Sequence, residues 1–191
     1  MHLSARSSRR SALVAVPLAL VASAAVISGA SYAAFSGSTD NAGNNWRTGT
    51  VALDDDHQGT ALFEVDDLVP GDTGEQCLTV TATTSSPAEV RFYGADVVDG
   101  GAADHLDLIV ERGTATGPGC EGFTAQDGVF ADTLGALAAS TSFADGHGSW
   151  TPTTGTEDTV YRITYRLGED TPNSAQGTSA STTFVWEAQT T

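Results

Sequence analysis

Lysine is absent from this chain of 191 residues, and no acid precedes Asp40. Eight arginines are the whole basic complement against 24 acids, and Arg6, Arg9 and Arg10 lie in the first ten residues. Residues 35–191 therefore carry five positive charges against 24 negative, a net −19, where the full chain stands at −16. So negative a surface repels nucleic acid phosphates and anionic lipid headgroups, which speaks against both as partners. The composition is not that of a disordered chain. Apolar residues make up 40% and charged residues only 17%, so there is enough to bury.

Motifs that carry chemistry are as scarce as lysine. There are two cysteines, Cys77 and Cys120, and neither sits in a CxxC pair, so zinc and dithiol motifs are missing. His57, His105 and His147 are the histidines beyond the N-terminal segment. None belongs to HExxH and no two are spaced i, i+4 on a helix, so a catalytic zinc site has no sequence support. No GxSxG nucleophile elbow occurs. The chemistry expected is therefore that of a non-enzyme, with no cofactor.

What is present begins with a targeting segment. Arg6, Arg9 and Arg10 form a positive n-region, and an Ala, Val and Leu-rich stretch without charge follows over 12–27. Mostly small residues then lead to Ala33 and Ala34, with Ser31 and Ala33 placed at −3 and −1 of a cleavage site. We read 1–34 as a secretory signal peptide and 35–191 as one folded domain. Left uncleaved, the charge-free stretch 11–39 is long enough to span a bilayer, and membrane contact is expected only through it. Arg9 and Arg10 partly fit a twin-arginine signal, but Ala12 stands where an aromatic is usual. An even cysteine count in an exported chain predicts one disulfide, Cys77 to Cys120.

From Trp46 onward the apolar pattern has period two, broken by Gly, Thr, Ser and Asp, which predicts an all-β domain. Strands are expected over 46–53, 61–65, 73–84, 89–97, 106–111, 160–167 and 182–188. Pro70-Gly71 marks a turn. The stretch 113–122 reads as a Gly-rich loop carrying Cys120, 133–139 as a short helix, and 143–156 as a loop. Seven or eight strands in one domain favour an antiparallel sandwich. The arginines on the strands read as exposed charges that pair with nearby acids.

Acidic loops raise the question of calcium. Asp54, Asp56 and Gly59 match positions 1, 3 and 6 of an EF-hand loop, but Val65 falls where the bidentate Glu should be. A looser oxygen site is expected, if anywhere, at Asp54 and Asp56 or at Asp99, Asp104 and Asp107. Trp46, Trp150 and Trp186 read mainly as packing residues. Trp150, in the predicted 143–156 loop, is also placed to stack on a sugar.

Several short segments resemble the TasA/CalY (camelysin) family of exported bacterial surface proteins. Ala33-Ala34-Phe35-Ser36 is similar to that family's signal-peptide junction, cut in Bacillus relatives by a dedicated signal peptidase. Trp46-Arg47-Thr48-Gly49-Thr50-Val51-Ala52-Leu53 resembles its first strand, and Asp67-Leu68-Val69-Pro70-Gly71-Asp72 its "nLkPGD" turn. Residues 161–167, 170–177 and 182–187 resemble the closing hairpin of actinobacterial relatives. The cysteine pair, the missing lysines and the Gly-rich middle depart from the Bacillus matrix proteins. The resemblance implies a jelly-roll-like β-sandwich with one short helix, secreted to the cell surface or biofilm matrix. There it would associate with itself or with other surface proteins. It also implies one alternative, a camelysin-like metalloendopeptidase, while the acidic loops and Trp150 give another, a calcium- or glycan-binding surface module. The segment 35–45 would serve as an arm for strand addition, since Asp40 is its only acid.

Overall fold

The computed structural model describes residues 36–39, 51–58 and 60–191. The proposed signal segment, with Ala33 and Ala34, lies outside them, as does Trp46. Among the described residues nine strands form two antiparallel sheets. They are β1 (Ser36–Thr39), β2 (Val51–Asp55), β3 (Thr73–Thr84), β4 (Ala88–Asp99), β5 (Leu106–Thr114), β6 (Thr124–Thr133), β7 (His147–Trp150), β8 (Gly155–Leu167) and β9 (Ala180–Thr190). Sheet A has the order β1-β9-β4-β7 and sheet B the order β2-β3-β8-β5-β6. With β2 set aside, these are the two interleaved four-stranded sheets of a jelly roll, and β2 is an extra edge strand beside β3.

Period two explains the layers. Leu78, Val80 and Ala82 of β3, Leu108 and Val110 of β5, and Tyr161 and Ile163 of β8 face inward from sheet B. Val90 and Phe92 of β4 and Trp186 and Ala188 of β9 meet them from sheet A. One short helix, α1 (Leu134–Leu137), follows β6. Thr133 caps it by accepting the Ala136 N–H at 3.1 Å, and Leu134 and Leu137 are buried against the core. The Pro70-Gly71 turn is present. Gly71 takes φ +93°, and Val69 O accepts the Asp72 N–H at 3.0 Å.

Three expectations need correction. Residues 61–65 are not a strand but an irregular segment that packs Leu62 and Phe63 onto the core. A short apolar run followed by Pro-Gly carries no ladder partner of its own, and here it crosses the end of the sandwich. Residues 143–156 are not all loop, because β7 lies within them. Trp150 ends β7 and is buried, paired with Val90, so it has no face to offer a sugar. Strand β6 had no sequence signal. Its residues are mostly exposed, and only Val129 and Phe130 reach the interior.

The disulfide between Cys77 and Cys120 is present. Cys77 points to the outer face of sheet B yet is buried, because the β5–β6 connection folds back over that face. This flap closes on itself: the Thr116 and Gly117 N–H groups both donate to Glu121 O, at 3.0 and 3.3 Å. Gly113 permits the sharp departure from β5, since a Cβ there would overlap the Thr124 carbonyl. Phe123 lies under the Arg162 guanidinium, 4.6 Å from ring centroid to Cζ. The cysteines are 43 residues apart. For such a loop the chain-entropy relation gives about 4 kcal/mol. Replacing both with Ser should lower stability by about that amount, read as a fall in the urea midpoint.

Candidate functional site

Among the described residues one side of the sandwich is partly open. There β1 pairs with β9 from Ser36↔Gln189 to Thr39↔Trp186. Among the described residues, 180–185 of β9 pair with β4 alone. The interior is reached at this place through a cleft of about 360 Å³. Ala180, Thr182 and Phe184 form one wall, Leu78, Leu108 and Tyr165 of sheet B form the other, and Leu62, Phe63 and Leu68 close the end. Phe63 meets Tyr165 edge-on, with centroids 5.2 Å apart. Trp186 lies deeper, and its Nε1 is buried without a hydrogen-bond partner. The nearby Tyr161 hydroxyl feels that N–H without bonding geometry, and burial pushes its pKa up.

The acids of β2 are engaged locally. Asp55 is buried at the cleft, and its Oδ1 accepts the N–H groups of His57 and Gln58, both at 2.9 Å, which turns the chain out of the strand. Asp54 Oδ1 accepts the Asp55 N–H at 3.0 Å. Asp56 reaches across to β3, where Oδ1 accepts the Thr79 N–H at 3.0 Å, and it also meets His57 Nδ1 at 3.2 Å. Burial works to raise the Asp56 pKa, but the Thr79 N–H and the His57 ring outweigh it and hold it below the ordinary value.

The second acidic group is not gathered either. Asp99 Oδ1 accepts the Ala103 and Gly101 N–H groups at 3.0 and 2.7 Å, and these bonds lower its pKa. Asp104 is exposed in a single 3-10 turn, and Asp107 faces Arg166 at 3.9 Å. Among the described residues no three His, Cys, Asp or Glu side chains come together as a metal site. The candidate calcium residues Asp54 and Asp56, and Asp99, Asp104 and Asp107, belong to no such group. In this structure the carboxylates of Asp54, Asp56 and Asp99 bond to backbone N–H groups, and Asp107 faces Arg166.

The strand arginines do what the charge balance suggested. Arg91 Nε donates to Glu89 at 2.8 Å, Arg162 Nε to Glu111 at 2.9 Å, and Arg112 pairs with Asp127. One contact had no sequence signal at all. Ser140 Oγ and His147 Nε2 lie 2.7 Å apart, because the turn after α1 returns beside the first residue of β7. Ser140 is buried and the His147 ring packs on Phe130, so the pair joins two segments, and neither residue lines the cleft.

The chain matches no family model and no curated protein. The likeness to the TasA/CalY family thus rests on the motifs quoted from the sequence.

The Asp56 geometry has a measurable consequence. A carboxylate with a lowered folded-state pKa contributes stability above its unfolded pKa and loses it as pH falls through the folded value. Asp56→Asn should therefore flatten the loss of stability below about pH 4, measured by thermal unfolding across the acid range.

Proposed function

We propose that this chain is an exported cell-surface or extracellular-matrix structural protein of the TasA/CalY type that associates by strand addition. The observation that carries the reading is β1. Residues 36–39 of the segment expected to be an arm form a strand at the edge of sheet A, in register with β9 over four pairs. Among the described residues β1 is an edge strand with one ladder, so exchanging it breaks no second pairing. The same pairing made by a neighbour's arm would give a swapped chain of subunits with no new kind of contact. A disulfide fits an oxidising compartment outside the cytoplasm. Among the described residues no helix is long and apolar enough to cross a membrane.

Charge opposes such assembly. At a net −19, neighbours repel until salt screens them, with a Debye length of about 10 Å at 0.1 M and 3 Å at 1 M. Light scattering and electron microscopy of the exported form should show assemblies growing with added salt. The same protein without residues 35–45 should stay monomeric throughout. Monomers in both cases, at every salt concentration, would defeat the proposal.

A further inference from the structure

We infer that the folded domain is closed to proteases that cut after basic residues and open, at Glu64, Glu121 and Glu169, to proteases that cut after glutamate. The reason is where each residue type falls on the sheets. The chain has no lysine, and residues 51–191 contain four arginines, Arg91, Arg112, Arg162 and Arg166. All four lie on the inner strands β4, β5 and β8, which have a neighbour on both sides. Arg112 pairs with Asp127 and Tyr161, Arg162 with Cys77 and Glu111, and Arg166 with Thr73 and Asp107. Arg91 pairs with Glu187, and the β7 ladder brackets it at Val90 and Phe92. Each arginine is also followed by a buried residue, in turn Phe92, Gly113, Ile163 and Leu167. Even Arg166, next to the end of β8, is tied down, since the Leu167 N–H donates to Asp72 O at 2.9 Å.

An endoprotease holds its substrate as an extended strand, bonded through the main chain with side chains in alternate pockets. A strand already paired on both sides cannot enter such a site until it leaves its sheet. β4, β5 and β8 carry the core residues Phe92, Val110 and Ile163, so leaving the sheet amounts to global unfolding. Glutamate is distributed differently. Glu75, Glu89, Glu111, Glu157 and Glu187 lie in strands, but Glu64, Glu121 and Glu169 are exposed outside them. Val65, Gly122 and Asp170, the residues that follow, are exposed as well. Exposed turns and loops are where nicking concentrates. The disulfide adds a second layer of protection. Arg91 and Arg112 both fall between Cys77 and Cys120, so a cut after either leaves the pieces joined. Nothing in this protection depends on assembly, and Arg47 lies outside the described residues.

The test digests the exported form at low salt with a trypsin-type protease and, separately, with a glutamate-specific one. Samples are quenched, reduced and mapped by mass spectrometry, with rates normalised to an unfolded peptide. The first glutamate-specific cuts should fall after Glu64, Glu121 or Glu169, at a rate that urea below the unfolding transition leaves unchanged. Cutting after the four arginines should instead follow the unfolded fraction as urea is raised. Ser174→Arg puts a basic residue in the exposed turn Asn173–Ala175. Trypsin should cut there about a thousandfold faster than anywhere in the parent domain, since the unfolded fraction of a native domain is about 10⁻³ or less. Thr164→Arg puts one on the inner strand β8, paired with Glu75 and Ile109, and should stay as resistant as the parent. Each variant is compared at equal unfolded fraction from its own urea curve, so lost stability is not mistaken for exposure. Cutting after Arg91, Arg112, Arg162 or Arg166 faster than the unfolded fraction allows would overturn the inference. So would native cutting at Thr164→Arg, a Ser174→Arg chain as resistant as the parent, first glutamate-specific cuts inside strands, or equal resistance to both proteases.

Discussion

Trp186 touches aromatic rings in both sheets. Phe92 lies beside it in sheet A at 5.2 Å between centroids, and Tyr161 meets it from sheet B at 5.3 Å. The jelly roll depends on this contact because, among the described residues, no strand of one sheet pairs with a strand of the other. The layers are held by side chains, and the largest apolar areas belong to these rings. The cost is an indole N–H buried without a partner. Burial of Trp186 also sets the depth of the cleft, since its ring lines the inner part of the cavity and β9 opens just before it.

Charge shapes the rest of the surface. With no lysine, each described arginine sits on or beside a strand and faces an acid, so the cations are local and the excess acid remains uncompensated. Carboxylates that might have converged on a cation instead bond to backbone N–H groups at Asp55, Asp56 and Asp99. This is the ordinary work of Asp in turns, and it explains why acid-rich loops need not be metal sites.

The long strands were legible because each shows an apolar face of three or more alternate residues, as in Leu78-Val80-Ala82 and Tyr161-Ile163-Tyr165. β6 was hidden because it is an edge strand whose residues are mostly solvated, so its partner rather than its composition makes it a strand. β7 was hidden by length and by glycine. In 61–65 the apolar residues were read as a ladder, although they serve as a lid on the core. The disulfide followed from cysteine arithmetic, but the flap did not, since it depends on Cys77 being on the outward parity of β3. The cleft was invisible in the sequence. Its walls come from segments far apart in the chain, and only tertiary packing brings them together.

The flap and the disulfide together have a consequence for biogenesis. β8 lies between β3 and β5, and the cross-link passes over its outer face, with Phe123 resting on Arg162. Both cysteines precede that strand in the chain. A thiol pair oxidised early would roof over a lane that its occupant has not yet entered, and the late strand would have to slide beneath a covalent bridge. The topology thus favours a sheet completed before the strap is fastened.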